Sequence, residues 1–318
     1  MTVVDAHAAG DALARLEARL NPADPEQAGL RVLAYGEISA ALLVADEPTL
    51  AGLVVKRMSG FRDTLAAETY VALLREYLAR LRSIGVETMP TEPVTILRPG
   101  RGPTVFLLQP LVDADDLGDR VLRDASDEAL TAALWSVLGQ VAKVLRANLD
   151  TPDDEVSIDA QMSNWVIGAR EPVLLDVGTP FVRRSGQHAF DQEILLSAVP
   201  PGVRGFYRRQ GTANAYMDDY FDARLIAVDI LGNFHKEGAA DRLPLGLDVV
   251  NEWLVGPAAD LPSSSGRAGP VTTEEVADYY EQDAATLELF LRVRRLDRAV
   301  RRIMRRPYDF ILPGPVER

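Results

Sequence analysis

The sequence predicts an α+β protein in which a small β-rich lobe precedes a larger helical lobe. Short runs rich in Val, Leu and Ile, separated by turn residues, fill residues 30–58, and this pattern is typical of strands. Helical periodicity begins near residue 61 and dominates after residue 112. We therefore expect residues 1–111 to form an N-terminal helix and the β-rich lobe. Residues 112–318 would form the helical lobe, which ends in an arginine-rich helix.

The first lobe is expected to follow the order β-β-β-α-β-β after its N-terminal helix. That helix is predicted over residues 9–21, where three leucines recur at helical spacing. The first three strands are the runs LRVLAYGEIS, AALLVAD and AGLVVKRM, with Gly36 in the first junction. A long helix is predicted over about 61–84, and two more strands over 86–97 and 104–112.

The second lobe is expected to be mainly helical. A helix over 124–148 has a good N-terminal signal at Ser126. The runs NWVIGA and PVLLDV look like short strands, and helices resume near 212–237 and 272–305. The Pro-, Ser- and Gly-rich stretch 257–270 is predicted to be a loop.

Composition excludes several classes of function. The 318 residues include no cysteine, which excludes disulfides, thiol nucleophiles and Cys-ligated metal sites. The net charge of −13 argues against nucleic acid and anionic lipid as partners and favours cationic ones. No apolar run is long enough for a membrane span, and the N-terminus lacks the pattern of a secretory signal. We therefore expect a cytoplasmic protein.

One ordered set of polar residues carries the chemical signal. Lys56 ends the third predicted strand, and Glu68 lies on the helix that follows it. Asp159 and Asn164 form a D-x4-N pattern after a long helix, and Asp176 closes the strand-like run VLLDVG. The common P-loop, dinucleotide-binding, zinc-protease and serine-hydrolase motifs are absent from the sequence.

This set resembles the protein-kinase-like fold, with its strand Lys, helix Glu, D-x4-N loop and D-x-G turn. The similarity is closest to the aminoglycoside-phosphotransferase-like branch of small-molecule kinases. It covers about residues 30–182 by motif. The chain departs from the pattern in having Ser157-Ile158 before the first Asp and one glycine in the first turn. The activation-segment pattern of conventional protein kinases is not evident.

The resemblance implies a role for each residue of the set. Lys56 would bind the α- and β-phosphates of ATP, and Glu68 would hold that lysine in place. Asn164 and Asp176 would supply oxygen ligands for Mg²⁺. Asp159 would orient the acceptor hydroxyl or accept its proton.

The resemblance also implies where the rest of ATP would lie. Backbone N–H groups of the first turn, at Gly36 and Ser39, would contact phosphate. The run VFLLQPLV would connect the lobes, with the Pro110 carbonyl and the Val112 N–H contacting adenine.

Each of these residues also has a structural interpretation. Lys56 would then protect a sheet edge from pairing. Glu68 would be a solvated helix residue, with Glu76 competing for its role. Asp159 and Asn164 would be turn residues, and Asp176 would end a strand.

The arginine-rich helix at 292–306 has eight arginines and one aspartate. Val293, Leu296, Val300, Ile303 and Met304 share one face of this helix. One interpretation is that the helix docks on the protein through this face while its arginines meet the acidic body. The other is that the arginines bind an acidic partner.

Three functions remain open from the sequence. The first is an ATP- and Mg²⁺-dependent phosphotransferase acting on a hydroxyl of a small molecule or biosynthetic peptide. The second is a non-catalytic, pseudokinase-like binding protein. The third keeps the kinase-like fold but transfers AMP.

Overall fold

A five-stranded antiparallel sheet forms the first part of the chain. The computed structural model describes residues 6–168, 171–263 and 269–314. The strands of the sheet are β1 (Leu30–Tyr35), β2 (Ser39–Val44), β3 (Leu53–Met58), β4 (Glu92–Ile96) and β5 (Thr104–Pro110). They lie in the order β1-β2-β3-β5-β4, so the third strand is central.

Two helices cover the two faces of this sheet. Helix α1 (Ala6–Arg19) packs on one face and helix α2 (Thr64–Ile84) on the other. Successive side chains of a strand point to opposite faces. Along β5, Phe106 therefore joins the cluster under α1, whereas Val105 and Leu107 join the larger cluster under α2. This alternation makes β5 a fully buried strand between two helices.

The rest of the chain is mainly helical. Its helices are α3 (Gly118–Asp124), α4 (Asp127–Asp150), α5 (Gln192–Ser197), α6 (Pro201–Gln210), α7 (Thr212–Asp218), α8 (Ala223–Lys236), α9 (Leu243–Val255) and α10 (Thr273–Ile303). Five short strands lie among them: β6 (Asp154–Val156), β7 (Trp165–Val166), β8 (Val173–Leu174), β9 (Val182–Arg184) and β10 (Gln187–His188). Strands β7 and β8 pair as a hairpin, and β9 pairs with both β6 and β10.

The predicted order of elements in the first part of the chain is confirmed. Ser126 caps α4 as expected, because its side chain accepts a hydrogen bond from the Ala129 N–H. The strand predicted over 86–97 is shorter, since β4 begins at Glu92. The preceding segment instead exchanges backbone hydrogen bonds with Leu174. Helices α3, α5, α6 and α9 were not expected. Most of them are too short to show a clear period.

The segment after α10 returns to the sheet and ties the two ends of the chain together. The side chains of Glu17 and Arg57 are 6% and 2% exposed and form an ion pair at 2.6 Å. Arg98 joins Glu17 at 3.2 Å and Asp309 at 2.9 Å. The carbonyl of Asp309 also accepts a hydrogen bond from Arg57. This buried polar cluster fastens α1 and the C-terminal segment to β3.

Helix α10 does not dock on the protein through its apolar face, contrary to the first interpretation of the sequence. Its apolar stripe is largely exposed: Leu296 is 66% and Ile303 83% accessible to solvent. Arg294, in contrast, is 2% exposed and packs against the rings of Phe290 and Phe310. The planar guanidinium can stack on aromatic faces and donate to carbonyls at once, so this edge of the helix is the buried one.

None of the helices in the described ranges has both the length and the apolar character needed to cross a membrane.

Replacing Glu17 by alanine is expected to lower the free energy of unfolding by about 3 kcal/mol or more, because two buried guanidinium groups lose their carboxylate. Urea denaturation measures this loss. The matched control is Glu193→Ala, since its partner Arg208 is 53% exposed and such pairs contribute less than about 1 kcal/mol. Equal, small losses in the two variants would contradict the account of the cluster.

Candidate active site

A cleft of about 570 Å³ lies between the β1–β2 turn and the segments that follow β6 and β8. Three separated stretches of the sequence meet there, at Lys56, Asp159 and Asp176. The full lining is Gly36, Glu37, Ile38, Ser39, Lys56, Met58, Asp159, Asp176, Gly178, Thr179, Phe181, Leu195 and Tyr216. The fold thus brings together residues that the sequence separates by more than a hundred positions.

An ion pair between Lys56 and Asp176 crosses the cleft. The Lys56 ammonium Nζ lies 2.5 Å from Oδ1 of Asp176, and the Gly178 N–H donates to the same oxygen at 3.0 Å. Burial opposes ionisation of Asp176, but the charge and hydrogen bond of Lys56 outweigh it and hold the pKa of the carboxyl below its ordinary value. Asp176 is therefore an anion at neutral pH.

Gly178 closely approaches this ion pair. A Cβ atom added at Gly178 would lie 3.0 Å from Nζ of Lys56. The Gly178 carbonyl accepts a hydrogen bond from the Tyr70 hydroxyl at 2.9 Å. The D-x-G turn is thus held on one side by the lysine and on the other by helix α2.

Asp159 faces the same cleft in a strongly acidic setting. Its Oδ1 accepts a hydrogen bond from the Gln161 N–H at 3.2 Å. Burial, together with the nearby carboxylates of Asp229 and Asp176, raises its pKa to about 8. A carboxyl with a pKa near neutrality can exchange a proton under physiological conditions.

A second acid, Asp229 on α8, supports the segment around Asp159. Its Oδ1 accepts hydrogen bonds from Gln161 at 3.1 Å and from the Tyr279 hydroxyl at 2.8 Å. Lys236 in turn donates to the Gln161 side-chain oxygen at 2.9 Å. Gln161 thus links the segment after Asp159 to α8, and Asp229 in turn links α8 to α10.

Asn164 and Asp176 lie next to each other because their backbones are hydrogen-bonded. The Asn164 carbonyl accepts from the N–H groups of Leu175 at 2.7 Å and Asp176 at 3.4 Å. The Asn164 side-chain Nδ2 donates to the Asp159 carbonyl at 3.3 Å. The other polar atom of this amide, Oδ1, is the one that can act as an oxygen ligand. In the described residues, no three acidic or histidine side chains group as a metal site. The amide and carboxylate oxygens nevertheless fit Mg²⁺, which usually takes one or two protein ligands and completes its shell with phosphate and water.

Glu68 does not hold Lys56, contrary to the expectation. It lies on the exposed side of α2, whereas Ala67 and Tyr70 face the core. The carboxylate that pairs with Lys56 is Asp176 instead. Glu76, the competing candidate, pairs with Arg184 at 2.6 Å. The periodicity of the helix locates its buried face, but Glu68 does not lie on it.

The β1–β2 turn lies at the mouth of the cleft, as expected, but Gly36 has a different role there. Its N–H donates to the Ser39 carbonyl at 3.0 Å, so it closes the hairpin and is not free to bind a phosphate. A Cβ atom at Gly36 would lie 2.8 Å from the Ser39 hydroxyl oxygen. The turn is further held by Arg294, whose Nη1 donates to the Glu37 carbonyl at 2.7 Å.

Pro110 and Val112 lie outside the set of residues that line this cleft. Pro110 is the last residue of β5, two positions before the predicted end of this strand, and Leu111 donates to the Gly52 carbonyl at 2.8 Å. The neighbouring Gln109 connects this strand to the site, since its side chain donates to the Leu175 carbonyl at 2.8 Å.

Two tyrosines were missed as site residues. Tyr70 and Tyr77 are seven residues apart on α2, and this spacing places both on one face of the helix. Tyr70 holds Gly178, and the Tyr77 hydroxyl donates to the Ser157 carbonyl at 2.8 Å. Their helical spacing indicates a shared face of α2 but not the backbone carbonyls that they bind. Gln109 and Arg294 gave no comparable signal, because their partners are backbone carbonyls far along the chain.

The fold and the cleft define an α+β protein in which a lysine on the central strand of an antiparallel sheet pairs with a carboxylate, beside two further polar residues. The chain belongs to the DUF6206 family, a family of unknown function whose model matches residues 15–298. No curated protein matches the sequence.

The pKa of Asp159 predicts a pH dependence of stability. Because its pKa is raised well above the ordinary value of about 3.9, the folded state keeps a proton that the unfolded state releases. The free energy of unfolding should therefore fall as the pH rises from about 4 to about 8, by at most about 1.4 kcal/mol per pH unit from this group.

Asp159→Asn should lose this contribution, because an amide does not titrate, and urea denaturation at a series of pH values measures it. The control Asp248→Asn, on the exposed side of α9, should follow the wild type. Parallel stability profiles for the wild type and Asp159→Asn would contradict the assignment.

Proposed function

We propose that this protein is an ATP- and Mg²⁺-dependent phosphotransferase with a protein-kinase-like, two-lobe fold, and that it phosphorylates a hydroxyl group. The observation that carries the proposal is the convergence of Lys56, Asp159 and Asp176 in one cleft, with Asn164 bonded beside Asp176. Lys56 also lies on the third strand of the sheet, where the kinase pattern places its phosphate-binding lysine.

The charge of the cleft supports binding of a metal–nucleotide complex over a free nucleotide. The charged lining residues are Lys56 and the three acids Glu37, Asp159 and Asp176. A polyphosphate alone would meet more negative than positive charge. A Mg²⁺ ion held by Asn164 and Asp176 would neutralise phosphate charge when bound.

Lys56 is placed to contribute positive charge to the phosphates. Its side chain is 15% exposed and is directed to the cleft by the Asp176 carboxylate. A partly desolvated ammonium interacts more strongly with a phosphate than one in bulk water. In this role Lys56 would bind and orient the phosphates without itself exchanging a proton.

Asp159 is the residue placed to act on the acceptor. Its carboxylate would take the proton of the acceptor hydroxyl as the acceptor oxygen bonds to the γ-phosphorus. The bond from the γ-phosphorus to the bridging oxygen of ADP breaks at the same time, and ADP leaves. A pKa of about 8 suits this transfer, since the group both accepts and releases a proton near neutrality.

The acceptor would be a small molecule or a peptide hydroxyl. Besides its charged groups, the cleft has the aromatic side chains of Phe181 and Tyr216 and the apolar side chain of Leu195. These groups offer an apolar surface next to Asp159 on which a substrate could be positioned.

A non-catalytic binding protein is the second candidate. Two observations favour it: Glu68 is exposed and away from Lys56, and the N–H of Gly36 is used within the hairpin. An active kinase-like enzyme uses a helix carboxylate beside the lysine and backbone N–H groups around the phosphates. Glu68 and the Gly36 N–H do not take these roles here. Under this alternative, the cleft would bind a nucleotide or another ligand without turnover.

Thermal unfolding with ATP and Mg²⁺ tests the proposed site. A ligand at 100 times its Kd that binds only the folded state stabilises it by about 2.7 kcal/mol, so the melting temperature of the wild type should rise. The rise should vanish in EDTA and in Asp176→Ala, which lacks the carboxylate for the metal. Asp248→Ala, an exposed acid on α9, should respond as the wild type does.

Asp159→Asn separates the two candidates. It should keep the magnesium-dependent rise but lose ATP turnover in an acceptor screen. No rise in the wild type at millimolar nucleotide would contradict nucleotide binding. Binding without turnover across acceptors would favour the non-catalytic protein, and a product heavier by AMP would show adenylyl transfer.

A further inference from the structure

The exposed stripe of α10 has the spacing of a coiled-coil seam. Apolar residues recur along it at alternating intervals of four and three positions, which is the heptad pattern that keeps apolar side chains on one seam. The residues of this seam are Leu289, Val293, Leu296, Val300 and Ile303. Four of the five are exposed, and Val293 is half-buried.

The seam lies on the side of α10 that faces away from the protein. The buried residues of this part of the helix are Leu291 and Arg294, and at 3.6 residues per turn they point away from Leu289 and Leu296. Arg295 and Arg301 donate to carbonyls of the segment that follows the helix. An apolar stripe of this length on an otherwise packed helix marks an interaction surface.

We propose that this seam pairs with the same seam of a second copy of the chain, as a short parallel two-stranded coiled coil. In a parallel pair each seam residue meets its own counterpart, so every layer is apolar against apolar. The layers also carry the preferred residues. Val293 and Val300 occupy the a positions, and Leu289, Leu296 and Ile303 the d positions, a distribution that favours two parallel strands.

The charges beside the seam agree with parallel pairing. Arg292 takes a g position and Asp297 the e position five residues later, and g and e' side chains of parallel helices lie close together. Arg292 would therefore approach Asp297 of the second copy, whose carboxylate also pairs with Arg301 of its own helix at 2.9 Å.

The remaining arginines do not oppose this dimer strongly. Arg302 takes a c position, which points away from the partner helix, and Arg305 lies beyond the C-terminal end of α10. Their repulsion across the pair is screened at physiological salt. With only about two heptads in contact, the dimer should be weak and depend on concentration. This interface does not rest on the proposed nucleotide site.

Sedimentation velocity across the micromolar range at physiological salt tests the pairing. The wild type should move from a mass of 34.8 kDa towards twice that value as its concentration rises. Leu296→Glu should weaken the dimer at least tenfold, because two carboxylates would meet in one layer. The matched control Leu65→Glu changes a leucine of nearly equal exposure, 67% against 66%, and should dimerise as the wild type does.

Orientation is tested by cross-linking, because the chain contains no other cysteine. Val300→Cys should form a disulfide-linked dimer under a mild oxidant, since the two thiols face each other only in the parallel pair. Arg302→Cys, whose side chain points away from the seam, should not.

A wild type that stays monomeric at every concentration would overturn the proposal, and so would a dimer that Leu296→Glu leaves intact. A monomer that binds an acidic amphipathic peptide through α10 would also overturn it, in favour of a different partner. Failure of Val300→Cys to cross-link in a proven dimer would contradict the parallel orientation.

Discussion

The ion pair between Lys56 and Asp176 is the constraint on which the rest of the site depends. It joins the central strand of the sheet to a turn 120 residues further along the chain, over 2.5 Å. Both groups are partly removed from water, so either one alone would have a costly unpaired charge. The pair also sets the space at Gly178, where a side chain would meet the ammonium group. This contact thus links the sheet to the helical part and contributes to the electrostatics of the cleft.

Other contacts hold the segments that carry this pair and Asp159. From α2, Tyr70 binds the turn after Asp176 and Tyr77 binds the strand before Asp159. From α10, the buried Arg294 binds the turn at the mouth of the cleft. These are bonds from side chains to backbone carbonyls, so they fix the path of the chain without adding charge to the site. The C-terminal part of the protein is in this way part of the framework of the cleft.

The sequence predicts the order of elements well, because strands β1 to β5 and helix α2 have clear periods and turn residues between them. Through its resemblance to the kinase-like pattern, it also predicts Lys56, Asp159, Asn164 and Asp176 as neighbours. It does not predict the partner of Lys56, because Asp176 lies 120 residues further along the chain and no local period connects the two residues. It also fails for α10. Arginines on an amphipathic helix look solvent-exposed, yet aromatic rings and carbonyls can bury a guanidinium such as that of Arg294 and leave the apolar stripe outside.

A crystal structure with a non-hydrolysable ATP analogue and Mg²⁺ is the most direct test of the central claim. The account predicts phosphate oxygens in contact with Lys56 and a metal ion bound by Asn164 and Asp176. The nearest carboxyl left for an acceptor would then be Asp159. Nucleotide bound elsewhere on the protein, or a cleft that stays empty at saturating analogue while Lys56 and Asp176 remain paired, would contradict it.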